Sequence, residues 1–329
     1  MAYLVTGSSG HLGEALMRTF RANGIESVGI DIKPGPFTDH VGSIADPGFV
    51  NAHARDAEII LNAATLHKPH VATHSRQAFV DTNITGTLNL LEAAHAGAAR
   101  AFIFTSTTSV FGHAMTPAPD EPAVWIDEGV VPIPKNIYGV TKLAAENLCE
   151  LFHRLYEMPA LVLRTSRFFP EDDDNRHVRD AFDQDNVKTV ELTHRRLDVE
   201  DAVSAHLCAI ERAEAIGFDR FIISATTPFT REDLTDLHRD APSVVARHVD
   251  YAKAFADKGW RIPDKIGRVY DNARARARLG WAPKLDFAEA VARIERGAPV
   301  FSALTDQVGS KGYHDEAFED GPFPVDHVG

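Results

Sequence analysis

The chain has 329 residues, of which 44% are hydrophobic and 25% are charged, a composition typical of a globular protein with a substantial buried core. Its 47 acidic residues outnumber its 34 Lys and Arg, and a formal net charge of −13 argues against nucleic acid or an anionic membrane as a partner. With two cysteines, no visible secretory signal and no apolar stretch of membrane-spanning length, the sequence predicts a cytoplasmic location.

Short apolar runs alternate with helix-length amphipathic stretches through the first half of the chain. The predicted strands lie at residues 2–5, 27–30, 58–61, 101–105 and 160–163, and the predicted helices at 12–22, 75–96 and 138–156. Because apolar and polar residues do not alternate along these strands, we expect them to be buried on both faces in a parallel sheet. The predicted fold class is α/β, a Rossmann-type doubly wound parallel sheet covered by helices.

The second half of the chain is less regular. It is predicted to contain a polar loop with a short helix at 170–186, helices at 198–213, 231–238 and 272–279, and a strand at 220–224. We expect a Rossmann domain at 1–165, to which segments such as 197–225 return, and a smaller substrate-binding region at 166–196 and 226–300. Residues 301–329 lack periodicity and are predicted to be a C-terminal arm or a disordered tail.

A glycine-rich turn with the sequence TGSSGHLG follows the first strand and begins the first helix. Gly7 allows a tight turn, Gly10 lets the backbone approach a pyrophosphate, and Gly13 allows the helix to pack on the strand. The helix N-terminus then offers N–H groups to the phosphates. A purely structural turn is the alternative, but the strand–turn–helix context favours a dinucleotide site. The other predicted cofactor-binding residues of this turn are Ser9, His11 and Leu12.

An acidic residue, Asp31, ends the second strand 18 residues after Gly13. At that place a carboxylate binds the adenosine ribose hydroxyls and repels a 2′-phosphate, so NAD is favoured over NADP. Lys33 lies close enough to weaken the preference, and a solvated turn residue before Pro34 is the alternative for Asp31. Further predicted cofactor-binding residues are Ile32, Asn62, Ala63, Ala64, Asn83 and Thr105.

Tyr138 and Lys142 are four residues apart in a predicted helix and therefore project from one face. A tyrosine with its ordinary pKa near 10 is a poor base at neutral pH, but a lysine ammonium and the positive nicotinamide ring favour the phenolate. The strand at 101–105 leads into a run of hydroxyl residues, at the sheet edge where α/β proteins bind ligands. One of these hydroxyls is expected to bind the substrate oxygen beside Tyr138. A plain surface pair is the alternative for Tyr138 and Lys142.

Taken together, these motifs resemble the extended short-chain dehydrogenases/reductases of the NAD-dependent epimerase/dehydratase type over about residues 2–290. Five segments match in chain order: the glycine turn, NITGTLNLLEAA from Asn83, the hydroxyl cluster before VFG, YGVTK from Tyr138, and LGWAP from Leu279. The resemblance implies hydride transfer to NAD and no metal. It also implies a homodimer formed through the helices at 75–96 and 138–156.

The resemblance also implies roles for individual residues. Tyr138 would be the acid/base, and Lys142 would lower its pKa. Alignment on the VFG sequence places the catalytic hydroxyl at Thr107, with Ser106 and Thr108 as alternatives. In relatives of this type Lys142 and Tyr138 also contact the cofactor, so both are counted among the predicted cofactor-binding residues.

The substrate segment departs from the nucleotide-sugar epimerases of this family, which usually carry Asn where this chain has Arg167. About thirty residues separate Arg167 from Leu197, fewer than in those epimerases, which suggests a substrate without a nucleotide. The sequence LRTSRFFPE, from Leu163 to Glu171, is similar to the corresponding run of uronate dehydrogenases, which oxidise free sugar acids.

Arginines in this segment are candidates for binding an anionic group of the substrate, because guanidinium forks suit carboxylate, phosphate or sulfonate. They are Arg167, Arg176, Arg179, Arg195 and Arg196. A mixture of surface charges is the alternative, since acidic residues 171–174 lie among them. The predicted substrate-binding residues are Thr107, Thr108, His113, Arg167 and Arg195, and a solvated loop position is the alternative for His113.

Three histidines, His67, His70 and His74, have a spacing that could suggest a metal site. Pro69 interrupts any helix there, and no Cys or carboxylate completes a ligand set. We therefore predict a substrate-loop or surface role and no metal.

The sequence predicts an NAD-dependent oxidoreductase that oxidises a secondary alcohol of a sugar or sugar-acid-like small molecule. The alternative is a UDP-sugar 4-epimerase with tightly bound NAD, which would use the same catalytic residues. A non-catalytic dinucleotide sensor is a remote alternative, against which the intact set of Thr107, Tyr138 and Lys142 argues.

Overall fold

The computed structural model describes residues 2–312, His314 and Phe318. The strands of this part of the chain are β1 (Tyr3–Thr6), β2 (Ser27–Asp31), β3 (His40–Val41), β4 (Ile59–Asn62), β5 (Ala101–Thr107), β6 (Val124–Ile126), β7 (Ala160–Thr165), β8 (Phe218–Ile223) and β9 (Arg268–Tyr270). A parallel sheet contains all but two of them, in the order β3-β2-β1-β4-β5-β7-β8. The remaining strands, β6 and β9, pair with each other in parallel.

Helices cover both faces of the large sheet and build the region beyond it. They are α1 (His11–Ala22), α2 (Pro47–Ala54), α3 (Arg76–Phe79), α4 (Gly86–Ala96), α5 (Ile137–Tyr156), α6 (Arg176–Ala181), α7 (Gln184–Glu191), α8 (Val199–Ile216), α9 (Leu234–Leu237), α10 (Ala241–His248), α11 (Ala252–Lys258), α12 (Ala273–Leu279), α13 (Phe287–Glu295) and α14 (Ala303–Val308). A π-helical stretch, Val80–Thr85, joins α3 to α4, so the predicted helix at 75–96 is confirmed as one helical segment. In the described residues, no helix combines the length and apolar character needed to cross a membrane.

The strand order confirms the predicted doubly wound parallel sheet. The chain moves outward from β1 through β2 to β3, and then returns to the other side of β1 with β4. The switch point between β1 and β4 opens a crevice at the carboxyl ends of the strands, where such sheets bind ligands.

Neighbouring residues of the central strands face two different apolar cores, and this explains why the strands do not alternate in hydrophobicity. Val5 and Leu61 belong to the core on the side of α1 and α8. Leu4 and Ile60 belong to the core on the side of α4 and α5. Since both faces are covered, every strand position favours an apolar residue.

Several elements beyond the large sheet were not predicted. The strands β6 and β9 have three residues each, too few to show a periodic pattern. A separate apolar core lies among α7, α9, α10, α11 and α13, and includes Phe229, Val244, Phe255 and Phe287. This core supports the region that faces the carboxyl edge of the large sheet.

Part of the segment predicted to be an arm or a disordered tail is instead helical. α14 packs against α1 and α8. Its N-cap residue Ser302 donates from Oγ to the Asp198 carboxylate at 2.6 Å, and Thr305 donates to the same group at 3.1 Å. Asp198 lies about a hundred positions earlier in the chain, so no local sequence pattern predicts these contacts. Most of residues 313–329 lie outside the described part of the chain.

Candidate active site

A cavity of about 790 Å³ lies at the carboxyl edge of the large sheet. It is lined by residues that follow or end adjacent parallel strands, including Gly7 after β1, Ala63 after β4, Thr107 at the end of β5 and Ser166 after β7. The glycine-rich turn, the hydroxyl run and the substrate segment predicted from sequence therefore border one space.

The glycine-rich turn requires glycine at two positions. Gly7 has φ +73°, and a Cβ there would lie 2.8 Å from the backbone nitrogen of Ala64. A Cβ on Gly13 would lie only 1.9 Å from the carbonyl oxygen of Gly7. Any side chain at Gly13 would push α1 away from the turn, and the helix N-terminus would no longer border the cavity.

The carboxylate of Asp31 is fixed beside this turn by two backbone N–H groups. Ser9 donates to Oδ2 at 3.0 Å, and Lys33 donates to Oδ1 at 2.8 Å. Asp31, Ile32 and Lys33 all line the cavity next to the turn. A close-packed turn at a helix N-terminus and a carboxylate ending the neighbouring strand fit the pyrophosphate and ribose of a dinucleotide such as NAD.

Most of the other residues predicted to bind the cofactor also line the cavity. They are Ser9, Gly10, His11, Leu12, Ala63, Ala64 and Thr105. Asn62 does not, because its side chain is buried between two hydroxyls: it accepts from Thr6 at 2.8 Å and donates to Thr87 at 3.1 Å. Asn62 thereby fixes the end of β4 from behind.

Asn83 is also buried behind the cavity wall rather than in it. Its Oδ1 accepts from the backbone N–H of Leu66 at 2.9 Å, and its Nδ2 donates to the Leu66 carbonyl at 2.9 Å and to Thr141 at 3.0 Å. This side chain ties the loop after β4, which lines the cavity, to α5.

Tyr138 lies at the N-terminal end of α5 with its side chain against that of Thr107. The tyrosine is only 8% exposed, and burial raises its pKa to about 12, while the hydrogen bond with the Thr107 side chain opposes that rise. Both residues line the cavity. The neighbouring Ser106 is turned away, since its Oγ donates to Glu146 at 2.6 Å. Of the three candidate hydroxyls, the one hydrogen-bonded to Tyr138 is therefore that of Thr107.

Lys142 lies one helical turn after Tyr138 and is fully buried. Its Nζ donates to the backbone carbonyl of Thr105 at 2.7 Å and lies 3.9 Å from the ring centre of Phe104. Burial lowers the pKa of Lys142 to about 7, and the negative charge of Glu146 opposes this. The ammonium thus lies just behind the wall formed by Tyr138 and Thr105.

Glu146 continues the same face of α5 and was not singled out from the sequence. Its carboxylate is completely buried and accepts from Arg164 at 2.7 Å and from Arg220 at 3.3 Å, in addition to Ser106. The regular spacing of Tyr138, Lys142 and Glu146, four residues each, was the signal that could have found it.

His206, on α8, is a second residue that the sequence did not reveal. Its Nδ1 lies 2.7 Å from the carbonyl of Ala202 and so donates to it, which leaves Nε2 to accept from the Thr105 hydroxyl at 2.9 Å. Burial lowers the pKa of His206 to about 4, so the ring is neutral at pH 7. Thr105 is therefore held from one side by His206 and from the other by Lys142.

The arginines predicted to bind an anionic substrate are largely paired inside the protein. Arg167 lies 2.6 Å from Asp173 and 3.3 Å from Glu191, and Arg195 lies 2.5 Å from Glu191. Arg196 also pairs with the buried Glu191, at 2.8 Å. Arg167 and Arg195 line the cavity, but their charges are balanced by these carboxylates. These arginines and carboxylates therefore form a charge cluster as the alternative expected, but the cluster is largely buried rather than spread over the surface.

Arg176 and Arg179 lie on the short helix α6. Arg176 is exposed and pairs with Asp180 at 3.6 Å, while Arg179 donates to the carbonyl of Asp173 at 2.6 Å. Neither residue is among those that line the cavity.

Thr108 lines the cavity, whereas His113 is exposed and does not. The rings of His67 and His70 are 4.8 Å apart between centroids, and those of His70 and His74 are 4.9 Å apart. All three histidines border the cavity near the glycine-rich turn. Within the described residues, no group of three or more His, Cys, Asp or Glu side chains could hold a metal ion.

A short C-terminal segment closes part of this cavity. We call Ser310, Lys311, Gly312 and His314 the C-terminal strap. Glu171, in the substrate segment, accepts from the Ser310 hydroxyl at 2.9 Å and from the backbone N–H of Lys311 at 3.0 Å. Lys311 also forms an ion pair with Glu14 of α1.

His11 joins the glycine-rich turn to the same carboxylate. Its Nε2 lies 2.8 Å from Glu171, and although burial opposes it, the contacts with His11 and Lys311 lower the pKa of Glu171 to about 2. His314 lies 2.9 Å from the carbonyl of Pro69, in the loop after β4. The strap therefore links α1, the substrate segment and the loop after β4 around the cavity.

Comparison with known proteins places these features in context. The profile of the NAD dependent epimerase/dehydratase family matches residues 3–223. The chain is 27% identical over 326 residues to a UDP-glucose 4-epimerase of Mycolicibacterium smegmatis, covering 89% of this chain and 97% of that protein. It is 28% identical over 186 residues to the low-salt glycan biosynthesis protein Agl12 of Haloferax volcanii, a match that covers 51% of this chain and only 57% of that protein.

Solved structures share the fold. A short-chain dehydrogenase/reductase superfamily protein from Agrobacterium tumefaciens, with bound NAD, superposes with a TM-score of 0.63. The alignment covers 90% of this chain and 98% of that protein at 22% sequence identity. At this level of identity the similarity concerns the fold.

Proposed function

Since the chain belongs to the NAD dependent epimerase/dehydratase family, we propose that it is an NAD-dependent oxidoreductase that oxidises a secondary alcohol of a sugar or sugar-acid-like small molecule. The observation that carries the proposal is the contact between the side chains of Tyr138 and Thr107, with Lys142 one helical turn after Tyr138 and hydrogen-bonded to the Thr105 carbonyl. These groups border the same cavity as the glycine-rich turn. An acid/base and a hydroxyl donor side by side suit removal of an alcohol proton.

In this mechanism Thr107 binds the hydroxyl oxygen of the substrate and holds it beside Tyr138. The phenolate of Tyr138 accepts the hydroxyl proton as the alcohol becomes a ketone. NAD, when bound beside the glycine-rich turn, would supply the two-electron acceptor that this oxidation requires. In its protonated form Lys142, one turn from Tyr138, would stabilise the phenolate by its positive charge. The charge of Glu146 favours this protonated form and opposes the burial that lowers the pKa of Lys142. His206 holds Thr105 so that its carbonyl stays in reach of Lys142.

Residues 1–165, together with 197–225, would bind NAD, and residues 166–196 and 226–300 would contact the substrate. A homodimer through α4 and α5 forms part of the proposal. Val140, Leu151 and Leu155 lie about one turn apart or at multiples of it along α5 and are exposed, so they offer an apolar face for a second copy.

A second candidate function is that of a UDP-sugar 4-epimerase. It is favoured by the C-terminal strap, which links the two walls of the cavity and would help keep NAD bound through a reaction without net change in the cofactor. A long match to a UDP-glucose 4-epimerase points the same way. The same residues would then remove and return the proton.

The test uses the purified full chain with NAD and a panel of free sugars, sugar acids and UDP-sugars. NADH formation with a free sugar or sugar acid, absent in Tyr138→Phe, would support the oxidoreductase. Conversion of a UDP-sugar to its epimer without net NADH would support the second candidate instead. If neither reaction occurs while NAD binds, the catalytic proposal is wrong.

A further inference from the structure

Some of the positively charged side chains that line the cavity form ion pairs with carboxylates of the protein. Lys68 pairs with Asp174, and Arg167 and Arg195 pair with Glu191. Arg268, the first residue of β9, also lines the cavity, yet in the described part of the chain it forms no ion pair and no side-chain hydrogen bond. The guanidinium carbon of Arg268 lies 5.9 Å from the ring centre of Tyr270.

The Nε–H of Arg268 is buried and has no acceptor among the described residues. A buried donor without an acceptor costs free energy, and such groups are rare in native proteins unless a ligand or water satisfies them. The Nε–H of Arg195 is in the same situation, although the other end of that guanidinium pairs with Glu191. Both arginines line the cavity, and among the described residues Arg268 has no carboxylate partner.

Arg195 and Arg268 lie on neighbouring segments and both affect His194. His194, which is adjacent to Arg195 in sequence, accepts with its carbonyl from the backbone N–H of Tyr270 on β9 at 3.1 Å. Burial lowers the pKa of His194 to about 3, and the positive charges of Arg195 and Arg268 contribute to this decrease. The segment after α7 and strand β9 thus bring both guanidinium groups within electrostatic reach of one residue.

Strand β9 is also connected to the catalytic side of the cavity. The hydroxyl of Tyr270 donates to Sδ of Met115 at 3.3 Å, and both residues line the cavity. Met115 follows the hydroxyl-bearing end of β5 by a few residues, so a ligand that contacts Arg268 shares one space with Thr107 and Tyr138. The chain as a whole carries a net charge of −13, and an anion would therefore need a local positive site to bind here.

We propose that Arg268, assisted by Arg195, binds an anionic oxygen group of the substrate, a carboxylate or a phosphate. This inference rests on the proposed function, because it places the anion on the molecule whose alcohol is oxidised. The main anion-binding role thereby passes from Arg167, whose charge is already balanced by Asp173 and Glu191, to Arg268, which has no ion pair in the described part of the chain. A substrate of this class is an acidic or phosphorylated sugar.

The experiment measures binding and turnover separately. Glucose, glucuronate, glucose 6-phosphate and UDP-glucose are titrated into the NAD-loaded protein by calorimetry, and NADH formation is followed with the same compounds. Arg268→Met removes the charge at similar length, and Arg268→Lys restores charge without the guanidinium fork. Arg231→Met is the matched control, because Arg231 is exposed, pairs with Asp127 and does not line the cavity.

We expect glucuronate or glucose 6-phosphate to bind more tightly than glucose, and Arg268→Met to weaken that binding by about tenfold to a hundredfold. Arg268→Lys should recover part of the loss, whereas Arg231→Met should change nothing. Comparing the affinity for glucuronate with that for glucose 6-phosphate identifies whether the site prefers a carboxylate or a phosphate. Binding of UDP-glucose alone, weakened by Arg268→Met, would assign the site to a nucleotide diphosphate and overturn the choice of a carboxylate or a sugar phosphate.

The inference is also overturned if Arg268→Met leaves anion binding unchanged, or weakens glucose and glucuronate equally while NAD still binds. Its failure is distinct from that of the proposed function. Anion binding that depends on Arg268, without NADH formation from any compound, would support the anion site and contradict the oxidoreductase. NADH formation that is unchanged in Arg268→Met would support the oxidoreductase and contradict the anion site.

Discussion

The ammonium of Lys142 donates a 2.7 Å hydrogen bond to the backbone carbonyl of Thr105, two residues before Thr107 on the same strand. This bond joins the first turns of α5 to the end of β5. It therefore fixes Tyr138, one turn before Lys142, in relation to the Thr107 hydroxyl that contacts it. The geometry of the acid/base and the hydroxyl donor is thus a property of the helix–strand junction, present before any ligand binds.

Replacing Tyr138 with Phe removes the acid/base and leaves the ring in place. We expect turnover to fall by a factor of about a hundred to ten thousand, as is typical for loss of a positioned acid or base. Affinity for NAD should stay within about twofold of wild type, since only one hydroxyl is lost. Tyr156→Phe on the same helix is the control, because Tyr156 is 45% exposed and lies away from the cavity. Steady-state kinetics and NAD titration test this, and wild-type turnover in Tyr138→Phe would exclude the assignment.

Asp31 is expected to select NAD against NADP. Its carboxylate is fixed by the N–H groups of Ser9 and Lys33, so Asp31→Ser removes the negative charge from a defined place beside the glycine-rich turn. We expect NAD to bind roughly tenfold more weakly, as for loss of one charge-assisted hydrogen bond, and NADP to bind more tightly than to wild type. The ratio of the two dissociation constants is the measurement. An unchanged ratio would show that another residue sets the preference.

The C-terminal strap is expected to slow the release of NAD. A chain that ends at Gly309 keeps α14 but loses the contacts of Ser310 and Lys311 with Glu171 and Glu14. We expect NADH to dissociate about tenfold faster, which corresponds to the net contribution of one or two hydrogen bonds. Stopped-flow fluorescence measures the rate. Glu171→Gln, which weakens the same contacts in the full-length chain, should accelerate release in the same direction, and equal rates in all three proteins would contradict the prediction.

His206 is expected to make stability depend on pH. Its folded-state pKa of about 4 is below the value of about 6.5 for an unfolded histidine, so between these values the unfolded chain binds more protons. The stabilisation is fully present above pH 6.5 and is lost as the pH falls towards 4, by roughly 3 kcal/mol in total.

The measurement is the free energy of unfolding of wild type and His206→Gln between pH 7 and pH 4. The variant should be less stable at pH 7 and should lose less stability on acidification. Glu171 and His194 also have lowered pKa values and contribute to acid destabilisation, but they are present in both proteins, so the difference between the two curves isolates His206. Parallel curves would mean that His206 is not buried as a neutral ring.

Local sequence patterns were sufficient for the large sheet except its edge strand β3, and for part of the site. The strands around Leu4 and Ile60 carry consecutive apolar residues because each face packs on its own core, and that pattern is visible in a short window. Gly13 is required by the backbone of a single turn. The spacing of Tyr138 and Lys142 follows from the pitch of one helix. In each case the pattern lies within a few residues of the chain.

Other features depended on contacts between distant segments. The charge of Arg167 is balanced by Glu191, whereas Arg268, on the same cavity, has no ion pair among the described residues, and nothing in the neighbouring sequence separates the two. Thr105 is held by His206 from a helix about a hundred residues later, and α14 is capped through Asp198. Spacing along the chain determines which side chains share a face, but the net charge and hydrogen bonding of a side chain depend on every group packed against it. Those partners are brought together only by the tertiary fold.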